Sequence, residues 1–448
     1  VFTLLRISVA ASDTILSDLP DSSGGANDSS LYVGMILPYT IYQRRGYIRQ
    51  VNYALNNFKR QHSSEQVFSS FFNISELQKH VVIRMISFSP SPQDIETAVC
   101  EITSSKTVSA IIYLNNNEMY TNATATSQYL FQLAGRLGLP VIAWNADNSG
   151  FQRINSGMVL QMAPSIDHQV GAMLSILKQY QSHQFAIVTS QIAGHEDFVQ
   201  VIQDIVFDSS FKFEILTSIL VHSETDLLPL VDSGARIVLL YCTKEEAIWI
   251  MKAATTYGLT GAEYNWIVTQ SVVGDNLKVP YYPNMYQQLP VGMIAIRFNT
   301  TLDSLKEEIG NALGVFVNGA LDFRRHANNN GISLTPNQNA SCEGIGDQVR
   351  WSEGERFYRT LRNVSVRYPG GSRPPLRFNS DGTIMNVELQ IMILRSTNEK
   401  YLKWEQVGIW HSWNTVDNES QLELDIDEDI VWLGTTHKPI EEIPLILN

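Results

Sequence analysis

The residues with the most chemical potential in this sequence are three cysteines, nine histidines and a surplus of carboxylates. Few of them are spaced to act together. Cys100, Cys242 and Cys342 contain no C-x-x-C pair of the kind that builds a zinc or redox centre, so one disulfide and one leftover thiol is the stronger reading and metal ligation the weaker. Cys242 closes the apolar run IVLLYC and reads as a buried, inert thiol. Cys100, on a polar-flanked helix, and Cys342, in a Ser/Asn/Gly loop, make the better bonded pair. His195 and Glu196 are neighbours at a helix start, so they project apart and cannot share a proton acceptor. There is no G-x-S-x-G elbow, no H-E-x-x-H, no phosphate loop and no dinucleotide fingerprint. No two carboxylates stand out as a general acid and base. The reading is non-enzymatic, with no cofactor and no metal, and a secreted enzyme is the alternative.

These residues must be positioned by a large body. At 448 residues and 44% hydrophobic, the chain can bury an extensive core. Its net charge of −13 argues against nucleic acid or an anionic membrane surface as partner. No stretch approaches the roughly 18 uninterrupted apolar residues of a spanning helix. Val1 to Ala11 is apolar with a small-residue end and reads as the remnant of a secretory signal, or else as an edge strand. Glycosylation sequons at Asn27, Asn73, Asn122, Asn299, Asn339, Asn363 and Asn418 fit a secretory route.

After a Ser/Gly/Asp-rich leader, short apolar runs alternate with helical patterns, the rhythm of a parallel α/β sheet. The runs begin near Tyr32, Val81, Val108, Pro140, Val159, Phe185, Arg236 and Trp266, and are rich in β-branched residues. Between the first two, Ile48, Val51, Leu55 and Phe58 form a helical stripe; after Pro164, Val170, Met173, Leu174 and Leu177 form another, with Ser165 as its N-cap. The series restarts near Ala163–Ser165, which predicts two lobes. A long helix over 301–326 precedes late strands at VELQIMIL and WEQVGIW, so the chain crosses between lobes more than once. In open α/β sheets ligands meet the carboxyl ends of strands. That rule nominates Asn115, Asn116, Trp144 and Asn145 in the first lobe, and Ser190, Gln191, Thr243, Glu246 and Asp275 in the second, a polar set suited to a small modulator.

The most informative segment is VLLYCTKEEA, Val238 to Ala247. Thr243 with Glu246 is a capping box that starts a helix after the strand. The string as a whole resembles, almost letter for letter, the second lobe of the amino-terminal domains of glutamate-binding NMDA-type receptor subunits. The similarity continues in GLTG (Gly258 to Gly261), YNWIV (Tyr264 to Val268), VVGD (Val272 to Asp275) and DFV (Asp197 to Val199). It extends to PSID (Pro164 to Asp167), FNSDG (Phe378 to Gly382) and WEQVGIW (Trp404 to Trp410).

The resemblance implies a clamshell like the type I periplasmic binding proteins, with two doubly wound lobes and several hinge crossovers. Its expected divisions are a signal remnant and flexible leader over 1–30, a first lobe of 31–163 plus 298–377, and a second lobe of 164–297 plus 378–415. Residues 416–448 would be an acidic linker toward a missing agonist domain. The parent would be a plasma-membrane, postsynaptic, glutamate-gated cation channel, a heterotetramer with glycine-binding subunits that meets the membrane only through its missing pore region. This piece would serve assembly and allosteric control, with a small-molecule modulator in the cleft. The rival is another receptor ectodomain on the same fold, natriuretic-peptide-receptor-like or amino-acid-sensing. The resemblance pairs Cys100 with Cys342 and leaves Cys242 free. Zinc-inhibited relatives carry a histidine where Asn145 stands and an acidic ligand where Thr300 stands, so high-affinity zinc inhibition is expected to be absent. An aromatic-proline pair of the modulator pocket aligns with Ile192 and Ala193, which removes its stacking wall, while its polar anchor survives as Glu246.

Overall fold

A computed structural model of the chain describes residues 31–38, 44–62, 72, 77–87, 90–115, 122–145, 157–274, 277–280, 289–300, 302–326, 332–336, 350–367, 373–397, 401–413 and 421–424. The elements run β1 (Tyr32–Pro38), α1 (Arg44–His62), β2 (Val81–Ile86), α2 (Pro92–Ser105), β3 (Val108–Asn115), α3 (Asn122–Leu137), β4 (Val141–Asn145) and β5 (Val159–Gln161). They continue α4 (Ile166–Gln179), β6 (Gln184–Ser190), α5 (His195–Asp208), β7 (Glu214–Val221), α6 (Leu228–Ser233), β8 (Ile237–Tyr241), α7 (Lys244–Thr256), β9 (Asn265–Val268) and α8 (Gln270–Val273). The last are β10 (Lys278–Pro280), β11 (Ile294–Arg297), α9 (Leu302–Arg325), α10 (Gly354–Arg362), β12 (Glu388–Ser396), β13 (Tyr401–His411) and β14 (Gln421–Leu424).

Two sheets result. The first is all parallel in the order β2-β1-β3-β4-β5. β3 and β4 are buried at every position, as expected of strands covered on both faces. The second has nine strands, ordered β10-β13-β12-β11-β9-β8-β6-β7 with β14 also on β13. Its half from β7 to β11 is parallel, but β12, β13, β10 and β14 are antiparallel. The α/β architecture expected from the sequence holds, with the first sheet parallel and the second mixed at its late strands. The connection from Ser396 to Tyr401 is too short for anything except a hairpin, because a parallel return needs a dozen or more residues.

Alternation along the second sheet separates two faces. Phe185, Ile187, Ile237, Leu239 and Tyr241 join the large core that also fills the first sheet, whereas Ala186, Val188, Val238, Leu240 and Cys242 join a second core with Trp266 and Trp404. On α1 the buried face is Tyr47, Val51, Ala54 and Leu55; Ile48, expected on that stripe, is 40% exposed. Residues 421–424, expected in the linker, pair with β13.

Three crossovers join the halves. β5 passes through 162–165 into α4, which packs on α5 and β11. β11 passes through 298–301 into α9, which returns to α1, β3 and β4. The third leaves the first sheet after Thr383, which bridges to Gln161, and enters β12. Gly382 enables that passage: at φ +88° and with a Cβ that would strike the Val159 carbonyl, no side chain fits there. Buried amides stitch the crossovers. Gln169 Oε1 accepts from Gln270 N at 3.0 Å, and Gln270 Oε1 accepts from Phe298 N at 3.0 Å.

Candidate ligand-binding cleft

Each sheet has a point where the strand order reverses, and open sheets bind ligands outside the strand carboxyl ends at such points. In the second sheet this is between β6 and β8, whose ends carry Ser190 and, one residue beyond Cys242, Thr243. Thr243 caps α7: its Oγ1 accepts from Glu246 N at 3.2 Å, while Glu246 Oε2 accepts from Thr243 N and Thr243 Oγ1, both at 2.9 Å. The same Oε2 accepts from Ser190 Oγ at 2.6 Å. The carboxylate therefore spans the reversal point and ties two strand ends together. Three donors on one oxygen make it a fixed acceptor site, with Thr243 and Glu246 both half-buried.

Gln191 is exposed directly after Ser190. Ile192 is 4% exposed and packs in the main core. Beneath it, Tyr241 Oη donates to Ala193 O at 2.8 Å and its ring stacks on Phe198 at 4.9 Å between centroids. Asp275 and Asn116 lie outside the described residues.

At the carboxyl ends of the first sheet, Trp144 and Asn145 are both buried, at 3% and 2% exposure, so Trp144 is part of the core rather than an open wall. Asn115 Nδ2 donates to Tyr113 Oη at 3.1 Å, and Tyr113 Oη pairs with Ser127 Oγ at 3.2 Å. Gln161, which the sequence did not single out, accepts through Oε1 from both Asn145 N and Ala163 N at 3.3 Å. A lone glutamine inside the apolar run from Met158 to Ala163 was the available signal. The hydrogen bonds thus gather Ser190, Thr243 and Glu246 into one group and Asn145 and Gln161 into another.

His168 was also missed. On the first turn of α4 its Nδ1 accepts from Ser165 N at 3.1 Å and pairs with Ser165 Oγ at 2.8 Å, while the ring also bonds the backbone of Met385. It therefore clips the first crossover to the third. His168 keeps some exposed surface, yet enclosure by protein atoms pulls its pKa down to about 4, against weaker opposing effects of Met385 and Asp381. Glu308 on α9 is also half-buried, and desolvation raises its pKa to about 7; Asn311 Nδ2 donates to its Oε2 at 3.1 Å.

Cys100 is disulfide-bonded, and Cys342 lies outside the described residues. Cys242 is free and buried, and burial together with nearby Glu246 pushes its thiol well up, leaving it unreactive. Among the sequons, Asn299 and Asn363 are exposed and Asn122 opens α3; Asn27, Asn73, Asn339 and Asn418 lie outside the described residues. Thr300 is fully buried. Among the described residues no group of three or more His, Cys, Asp or Glu could hold a metal ion, and no helix is long and apolar enough to cross a membrane.

Residues 96–397 match the family described as the receptor family ligand binding region. The chain is 25% identical over 330 residues to the ionotropic glutamate receptor subunits NMDA 2D of Mus musculus and Rattus norvegicus, and 24% identical to that of Homo sapiens. Each alignment covers 71% of this chain but 23% of the relative, so the chain spans about a quarter of the length of these receptors. With the profile match crossing both sheets, the chain belongs to the receptor ligand-binding-region family, on the periplasmic-binding-protein-like fold, and its similarity within it is to NMDA-type glutamate receptor subunits.

Proposed function

We propose that this chain is the extracellular, amino-terminal regulatory and assembly domain of a glutamate-gated cation channel subunit of NMDA type. The observation that carries the reading is the similarity to NMDA 2D subunits over 330 residues, an extent that requires both sheets and their crossovers. The domain is not an enzyme. Its first lobe is 31–163 plus 298–377 and its second 164–297 plus 378–415. Lobe closure about the three crossovers biases the channel gate through population shift. The partner is a glycine-binding subunit in a heterotetramer at the postsynaptic membrane.

The cleft takes a small polar modulator, with Ser190, Gln191, Thr243, Glu246 and Asp275 on one side and Asn145 on the other. Glu246 supports this reading because it presents a fixed negative charge at the strand-order reversal. Cys100 pairs with Cys342, and the exposed Asn299 and Asn363 carry glycans. Co-expression with a glycine-binding partner domain tests the assembly role. Sedimentation at micromolar concentration should show a heteromeric complex, and two species that remain monomeric would overturn it.

A further inference from the structure

The chain is strongly acidic overall, yet its basic groups are not spread evenly. Residues 350–377 hold seven arginines, no lysine and, as acids, Glu353 and Glu355, so this stretch carries +5 in a chain of −13. Part of that charge is neutralised: Arg356 lies 4.0 Å from Glu353, Arg359 pairs with Glu355, and Arg373 lies 3.1 Å from Glu388. Arg362, Arg367 and Arg377 have no carboxylate among the described residues within salt-bridge distance.

The fold brings these three to one seam. Val366 and Leu376 form an antiparallel bridge closed by both backbone hydrogen bonds, 3.0 and 2.7 Å, and both side chains are buried. Alternation then turns the flanking residues Ser365, Arg367 and Arg377 to the opposite, outer face. Arg377 Nε donates to Ser365 Oγ at 3.3 Å, and Arg367 and Arg377 are both exposed. Arg362, in the last turn of α10, reaches over the same seam and donates to Ser380 O at 2.7 Å. Three guanidinium groups from three backbone segments thus flank one narrow strip, two of them held by hydrogen bonds at a single nitrogen with other donors left to offer.

We infer that this strip is a docking site for a sulfated polysaccharide. An arginine fork suits sulfate oxygens better than the compact lysine ammonium does, and the stretch uses arginine alone. A thread-like polyanion can lie along a strip while avoiding the acidic remainder of the molecule; a flat anionic membrane would face that remainder as well. Of the large exposed apolar side chains only Met385 adjoins the seam, through its backbone bond to Arg377 O, so the apolar set that a membrane-docking face needs is missing among the described residues. The extracellular setting comes from the function proposed above, but the binding test is made in solution and does not depend on it.

The experiment measures binding of the purified 448-residue chain to a heparin oligosaccharide of defined length. N363Q protein is used in parallel, because Asn363 is exposed near the strip and removing its sequon separates the contribution of the arginines from that of a neighbouring glycan. N363Q should bind, with affinity falling steeply as salt rises by the counterion-release logic of polyanion binding. The surface variant R367S/R377S, made in the N363Q background, should bind about ten-fold more weakly with an unchanged melting temperature. Any one of three results overturns the proposal: no binding by N363Q at low salt, undiminished binding by R367S/R377S, or equal binding to hyaluronan or to phosphatidylserine vesicles, which carry charge without sulfate.

Discussion

Replacing His168 by glutamine should change how the stability of this protein responds to acid, and replacing Glu308 by glutamine should change it in the opposite sense. The imidazole is held neutral, with a pKa lowered to about 4 from the ordinary 6.5. A base whose folded pKa is depressed binds its proton more readily when unfolded, so stability is lost as pH falls from 6.5 toward 4 and then levels. Glu308 is raised from 4.5 to about 7, so the folded state takes the proton first and stability is gained as pH falls from 7 toward 4.5. At about 1.4 kcal/mol per pH unit each displacement corresponds to at most about 3.5 kcal/mol, and because both residues keep some exposed surface, about 1–2 kcal/mol each is expected. Between pH 4.5 and 6.5 the two contributions oppose and largely cancel. Denaturant unfolding across pH 4.5 to 7.5 should therefore show H168Q gaining stability relative to the parent as pH falls and E308Q losing it. Identical pH dependence in all three proteins would refute the placement of both groups.

Glu246→Ala removes the acceptor of three hydrogen bonds at the second sheet's reversal point and should cost about 2 kcal/mol of stability, with Glu246→Gln costing about half as much; calorimetry that finds Glu246→Gln as stable as the parent would show that the charge is idle. Gly382→Ala must place a Cβ against Val159 O at a positive φ, so soluble yield or melting temperature should fall sharply, by the equivalent of more than about 2 kcal/mol. The proposed pairing of Cys100 with Cys342 predicts that Cys100→Ser exposes one thiol to alkylation in the native protein, whereas Cys242→Ser should change labelling not at all, as read by mass spectrometry. The resemblance to NMDA-type subunits implies that Asn145 and Thr300 stand where zinc-inhibited relatives carry an imidazole and a carboxylate, so calorimetry on the chain should find no sub-micromolar zinc binding.

The eight strands anticipated from apolar runs all form, because each run is short, β-branched and long-range in its pairing only, so local pattern suffices to name it. The missed strands are of another kind. β7 has only two buried positions, β10 is three residues ending in proline, and β14 is polar at two of its four, so these three advertise no core face; β11 is the exception, an unanticipated strand buried at all four positions. Ile48 was misassigned since a stripe begun one residue late still matches helical spacing; only packing showed that Tyr47 turns inward instead.

The site divides along the same line. Thr243 and Glu246 lie three residues apart, and a capping box is a local hydrogen-bond pattern, so the sequence by itself determined it, as it did the buried fate of Cys242. It also determined the acidic surface and the absence of the common catalytic motifs. Tertiary structure alone decided that Ser190, 56 residues away, would share the Glu246 oxygen. It alone decided that Trp144 and Ile192 would be core, that Gln161 would hold Asn145 and Ala163, and that His168 would clip two crossovers. The physical reason is range: caps and strand patterns are settled by neighbours within a turn, whereas a hinge is made of segments that meet only after two sheets have formed and the chain has crossed between them three times.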